Sequence, residues 1–202
     1  MKYLRLLCAV LVLLTSCQPN SNNDTKPLPV IKESIAPFSL VNQDGDTITN
    51  ANFEGKIYIT DFFFTSCPAQ CPKMKREMLR MLEKYKDNDD VVLLSHSIDT
   101  RNDSVPVLKD YAEKLGVAAP KWQFVTASRQ AIKDCAKDYY IAAQEDKEEP
   151  GGYLHSSKFV VVDWKGQMRT FCDGLMPKEV DELMVDIDNL LDEKAKEEAA
   201  KG

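Results

Sequence analysis

Ile57-Tyr58-Ile59-Thr60-Asp61-Phe62-Phe63-Phe64 runs directly into Thr65-Ser66-Cys67-Pro68-Ala69-Gln70-Cys71-Pro72-Lys73-Met74. A short apolar run of this kind is the pattern of a buried strand, and Lys73 to Lys86 carries helical periodicity. Pro72 lacks a backbone N–H and fits only a first helical turn, which places the helix start near Cys71. Both sulfurs of this C-x-x-x-C then lie where unpaired amide groups and the positive end of the helix macrodipole favour thiolate. Thiolate is the form of cysteine that attacks disulfides and binds soft metals, so the pair is read as reactive or ligating.

The same alternation continues outward. Phe38–Val41 and Asp46–Thr49 flank Asp44-Gly45, a hairpin signal. Val91–Ile98 is a second apolar strand, and Ser104 caps a helix to about Leu115 with Pro106 in its first turn. Trp122–Val125 is a short strand, and Ser128 opens a helix to about Tyr140. Gln144 to Leu154 is a charged loop containing Pro-Gly-Gly. Lys158–Asp163 and Gln167–Cys172 are strands joined at Trp164-Lys165-Gly166. Val180, Leu183, Met184, Ile187, Leu190 and Leu191 recur at helical spacing, and the chain from Asp192 is a charged, fraying tail. This order predicts a thioredoxin-like α/β sandwich: a central mixed β-sheet flanked by helices, with an N-terminal β-hairpin. Right-handed crossovers make Ile57–Phe64 and Val91–Ile98 parallel neighbours.

The chain has 202 residues, 44% of them hydrophobic, and a net charge of −6 with both signs interspersed. That describes one domain with appendages and excludes the basic patch of a nucleic-acid binder. Lys2 and Arg5 precede the apolar Leu6–Leu14, too short to span a bilayer, and Leu14-Thr15-Ser16-Cys17 resembles a bacterial lipobox. The expected organisation is a lipoprotein signal peptide over residues 1–16, lipid on Cys17, a flexible tether over 17–32, a folded domain over 33–195 and a charged tail over 196–202. A lipid-anchored protein of the bacterial cell envelope, facing the periplasm, follows. Cys67, Cys71, Cys135 and Cys172 then sit in an oxidising compartment, where thiols pair or bind metal. Cys135 and Cys172 fit a second disulfide and buried free thiols equally well.

Four blocks carry a family resemblance: Thr65 to Pro72, Ser97-Ile98-Asp99-Thr100-Arg101-Asn102-Asp103, Trp122-Gln123-Phe124-Val125-Thr126, and Leu154-His155-Ser156 before a strand. The chain resembles the Sco/SenC thioredoxin-fold copper proteins, which help to assemble the dinuclear copper site of cytochrome c oxidase. The resemblance implies copper, as Cu(I) or Cu(II), held by Cys67, Cys71 and His155. It also implies a cytochrome c oxidase copper-site subunit or another cuproprotein as receiver, and a thiol reductant or copper-loading partner. Leu154 stands where the family usually has a carboxylate, and Thr100 where it usually has proline. Two soft thiolates and an imidazole suit copper independently, and zinc's closed sites usually take four ligands. Asp99 is a candidate hydrogen-bond partner for His155.

A thiol–disulfide oxidoreductase using Cys67 and Cys71 is the alternative. Its enzymes carry C-x-x-C and a cis-proline before a sheet strand, where this chain has Leu154-His155-Ser156-Ser157. A thiol peroxidase is disfavoured, because neither cysteine follows P-x-x-x-T-x-x-C. His96 inside an apolar strand reads as a core or edge histidine. Met74, Met78 and Met81 read as the core face of a helix, and Asp173 as a turn carboxylate.

Overall fold

The structure is a computed structural model that describes residues 27–146, 148 and 151–201; the leader, Cys17 and most of the expected tether lie outside these residues. Among the described residues nine strands and four helices follow in the order β1 (Ser39–Asn42), β2 (Thr47–Thr49), a 3-10 turn (Asn50–Phe53), β3 (Ile57–Phe63), α1 (Cys71–Tyr85), β4 (Val91–Ser97), α2 (Val105–Leu115), β5 (Trp122–Thr126), α3 (Arg129–Asp138), β6 (Ala143–Glu145), β7 (Tyr153–His155), β8 (Lys158–Val162), β9 (Met168–Asp173) and α4 (Pro177–Ala199). Seven strands form one sheet in the order β2-β1-β5-β4-β3-β8-β9. β3, β4 and β5 are parallel, as the crossover rule requires, while β1, β8 and β9 run antiparallel to their neighbours. The mixed thioredoxin-like sandwich expected from the sequence is the observed fold.

β3 and β4 lie at the centre, and every residue of both is buried. Alternation along β3 sends Asp61 and Phe63 to one face and Thr60 and Phe62 to the other. On the first face Phe63 meets Tyr111 of α2 and Phe124 of β5, and Lys75 of α1 lies over its ring. On the second, Phe62 stacks on His96 at 4.5 Å and meets Tyr139 beyond α3. α1 and α4 pack side by side, with Tyr85 Oη donating to the Met184 carbonyl at 2.8 Å. Met74, Met78 and Met81 are fully buried in α1, so they form a core face, each contributing about 1.5–3 kcal/mol of apolar burial.

Three expectations change. Leu28–Lys32 is held against the domain: Ile31 N–H donates to Met168, Met168 N–H to Lys32, and Arg169 to the Leu28 carbonyl at 2.5 Å. Packed chain therefore begins before Glu33. The segment joins β9 at Met168, opposite Val162, whose partner Tyr58 is near the start of β3. It enters at the end of the sheet remote from the cysteines. The tail does not fray at Asp192: α4 continues to Ala199, and Lys194, 7% exposed, pairs with Asp90 at 2.6 Å. Finally, the charged loop after Gln144 is a two-stranded hairpin, β6–β7.

Candidate metal centre

The site begins where β3 ends. Cys67 N–H donates to the Phe64 carbonyl at 3.2 Å, turning the chain out of the sheet, and α1 starts at Cys71 with Pro72 in its first turn. The turn is clamped from the next crossover. Asp103, 1% exposed, accepts from Thr65 N–H at 3.0 Å, from Thr65 Oγ1 at 2.5 Å and from Ser97 Oγ at 2.5 Å. Charge-assisted bonds of this kind are the strong ones, and here they join the cysteine turn to the end of β4.

Cys67 is half-buried and Cys71 buried; neither is in a disulfide, and the two thiols are within hydrogen-bonding reach of each other. The expectation that the helix start lowers both pKa values fails for Cys71. Burial pushes its thiol well above the ordinary cysteine range, more than the Phe64 backbone amide and the Lys75 ammonium draw it down. A buried thiol in this condition must give up its proton before it can bind a metal or attack a disulfide sulfur, and burial makes that loss costly.

The hairpin β6–β7 lies over this turn. Gly151 takes φ +89°, and a Cβ there would come to 2.7 Å from the Phe64 ring and 3.3 Å from Pro68 Cδ. The Tyr153 ring meets Phe64 at 5.2 Å, and Tyr153 Oη donates to Asp99 Oδ1 at 2.8 Å. His155 closes β7 opposite Ala143, and Ser156 N–H bonds the Ala142 carbonyl; the His155 side chain lies outside the described part. The fold therefore brings Cys67 and Cys71 together and docks the His155-bearing hairpin on their loop. Among the described residues no three His, Cys, Asp or Glu side chains converge on a metal position. The Asp99 carboxylate has other partners, Tyr153 and Asn102, the latter donating at 2.7 Å.

The remaining residues take structural places. His96 is fully buried, its Nδ1 3.0 Å from Thr60 Oγ1, and burial draws its pKa down to about 4. Asp173 accepts from Leu175 N–H in a turn. Cys135 and Cys172 are separate free thiols, and burial raises them to about 11 and about 12. No disulfide joins the described cysteines. Sequence reading missed three parts of the site: the Asp103 clamp, the hairpin, and a buried Lys75–Asp61 ion pair at 2.7 Å. The last had a signal, since a lysine and an aspartate occupy positions whose periodicity demands apolar side chains.

A thioredoxin-like sheet with a reduced C-x-x-x-C pair at the first crossover, roofed by a hairpin, defines a thiol-bearing redox or metal-binding protein of that fold. The SCO1/SenC family profile matches residues 30–192. The chain belongs to that family. Among solved structures it is similar to a SCO1/SenC family lipoprotein from Bacillus anthracis, at 26% identity and TM-score 0.72, covering 80% of this chain and 97% of that one. BsSco, a member of the Sco family of cytochrome c oxidase assembly proteins in which a disulfide switch was identified, matches at 27% identity and TM-score 0.71, covering 82% and 98%. Arabidopsis thaliana ScoI, solved with copper bound, matches at 29% identity and TM-score 0.64, covering 76% and 97%.

Proposed function

We propose that this chain is a membrane-anchored copper-binding assembly factor. It takes copper as its cargo on Cys67, Cys71 and His155, and delivers it to, or prepares the thiols of, the dinuclear copper site of cytochrome c oxidase. The observation that carries the reading is the docking of the β6–β7 hairpin on the cysteine turn, with Gly151 against Phe64 and Pro68. The donor set fits the cargo: two sulfurs side by side, one half-exposed for transfer and one buried, suit a soft cuprous ion. The copper-bound relative and the oxidase-assembly relative support the same assignment.

Anchoring is part of the proposal. Lipid on Cys17 would hold the protein at the periplasmic face of a membrane, in keeping with the lipoprotein relative. A Cys17→Ser protein should move to the soluble fraction; full retention in membranes refutes the anchor.

A second reading keeps the same sulfurs. The mutually hydrogen-bonded thiols and the disulfide switch of BsSco favour reversible oxidation of Cys67 and Cys71 by thiol exchange. His155→Ala separates the two. Copper delivery needs the third donor, so the variant should bind Cu(I) at least tenfold more weakly and lose copper-dependent oxidase maturation, while still reacting with small disulfides. Full biological activity in His155→Ala overturns the copper reading in favour of the oxidoreductase.

A further inference from the structure

Residues 99–103, the loop beyond β4, hold two parts of the molecule at once. At one end Asp103 clamps the cysteine turn through Thr65. At the other end Asp99, 2% exposed, accepts a hydrogen bond from Tyr153 Oη of β7 at 2.8 Å. The stretch between them is braced. Asn102 N–H and Asp103 N–H donate to the Asp99 carbonyl at 3.1 and 2.9 Å, and Asn102 Nδ2 donates to Asp99 Oδ2 at 2.7 Å. The cysteine turn and the β6–β7 hairpin are therefore set against the same short piece of backbone.

Among the described residues the other holds on the hairpin are weaker. Its strands pair with each other and not with the seven-stranded sheet. Glu145 of β6 meets Arg101 and Arg129, whose side chains are 69% and 51% exposed, and exposed ion pairs contribute little. Gly151 and the Tyr153 ring rest on Phe64 through apolar contact, which has no fixed direction. The Tyr153 hydroxyl, which the exposed Arg101 also reaches, instead donates a directional bond to a buried carboxylate. His155 lies two positions beyond Tyr153 in β7, and positions two apart share one face of a strand. Fixing Tyr153 thus fixes the register of the strand that carries His155.

We propose that Tyr153 is a positioning residue for the metal centre, its bond to Asp99 being the latch that holds the His155 strand at a set distance from Cys67 and Cys71. The inference rests on the copper reading above, and it gives Asp99 the task of holding Tyr153 in place of bonding His155 directly. A third donor adds most to affinity when its strand is ordered before the ion arrives, because ordering it on binding has a cost. Breaking the latch frees the hairpin while Asp103 keeps the cysteine turn in place. The latch therefore governs how tightly the cargo is held without altering the two sulfurs.

The test uses the full chain in detergent, with Cu(I) affinity read by competition against a chromogenic chelator. Tyr153→Phe keeps the ring on Phe64 and removes only the hydroxyl; it should weaken Cu(I) binding roughly tenfold. Asp99→Asn retains an acceptor oxygen and should stay within about threefold. In a His155→Ala background Tyr153→Phe should cause no further loss, because the latch acts only through residue 155. General damage to the fold would lower affinity in both backgrounds, so an equal loss in each overturns the proposal. A second readout needs no copper. Amide exchange at Ser156, whose N–H bonds the Ala142 carbonyl, should quicken roughly tenfold in reduced Tyr153→Phe while β3 and β4 keep wild-type protection. Unchanged exchange, or unchanged affinity in Tyr153→Phe beside a weakened His155→Ala, overturns the latch and leaves the copper reading standing. Wild-type protein that fails to bind Cu(I) tightly, or His155→Ala that binds it as wild type does, overturns the copper reading and the inference with it.

Discussion

Replacing Gly151 by alanine should separate the hairpin from the cysteine turn without unfolding the domain. Two costs arise. Gly151 has φ +89°, a conformation that costs an L-residue about 1–2 kcal/mol. The new Cβ would also overlap the Phe64 ring at 2.7 Å, and Phe64 is 1% exposed in the core, so overpacking adds about 1–3 kcal/mol. The structure relieves that overlap most cheaply by lifting the hairpin, because β6–β7 pairs only with itself and not with the seven-stranded sheet. Lifting it carries His155 away from Cys67 and Cys71. If the overlap is expressed wholly as lost docking, Cu(I) affinity should fall roughly ten- to hundredfold. Gly152→Ala is the control: its φ is +83°, but a Cβ there meets nothing within 4 Å, so it shares the backbone strain and lacks the overlap. Chelator competition titrations on both variants, with circular dichroism melts alongside, make the comparison. Equal Cu(I) affinities for Gly151→Ala and Gly152→Ala would refute the argument that hairpin docking builds the site.

His96 predicts an acid-side weakness. Its imidazole is fully buried and neutral, with a pKa near 4 against 6.5 in the unfolded chain, so the unfolded state gains the proton first. Stability should be unaffected above about pH 6.5 and fall by roughly 3 kcal/mol as pH drops from 6.5 to 4. Urea melts of wild type and His96→Gln across that range check this; parallel stability curves would exclude the histidine as the cause. Tyr140 follows α3 with φ 55°, in the left-handed cap position where glycine is preferred, and is 58% exposed. Tyr140→Gly should stabilise the fold by roughly 0.5 kcal/mol, the relieved strain exceeding the lost contact with Lys32, whose Nζ lies 5.5 Å from the ring. A fall in melting temperature would mean that the ring contact outweighs the strain.

The periodicity of the chain alone determined the order of the elements around the cysteines. Two apolar runs separated by a helical stretch admit one parallel, right-handed arrangement, and Pro72 sets the start of α1 because a residue without an N–H is confined to a first turn. The cysteine pair was legible for the same reason: spacing along the chain becomes spacing in space within a single turn and helix. Only the tertiary structure decided the rest, because those features depend on residues distant in sequence. The Asp103 clamp on Thr65 spans two elements, and the Lys75–Asp61 pair became visible as a pair only once α1 lay across β3. The hairpin looked like a charged loop because its strands are three residues long and pair only with each other, leaving no periodicity to read. The Cys71 thiol shows the same division: its place at a helix start argues locally for thiolate, while the core packed around it removes the water that would solvate the charge, and burial wins.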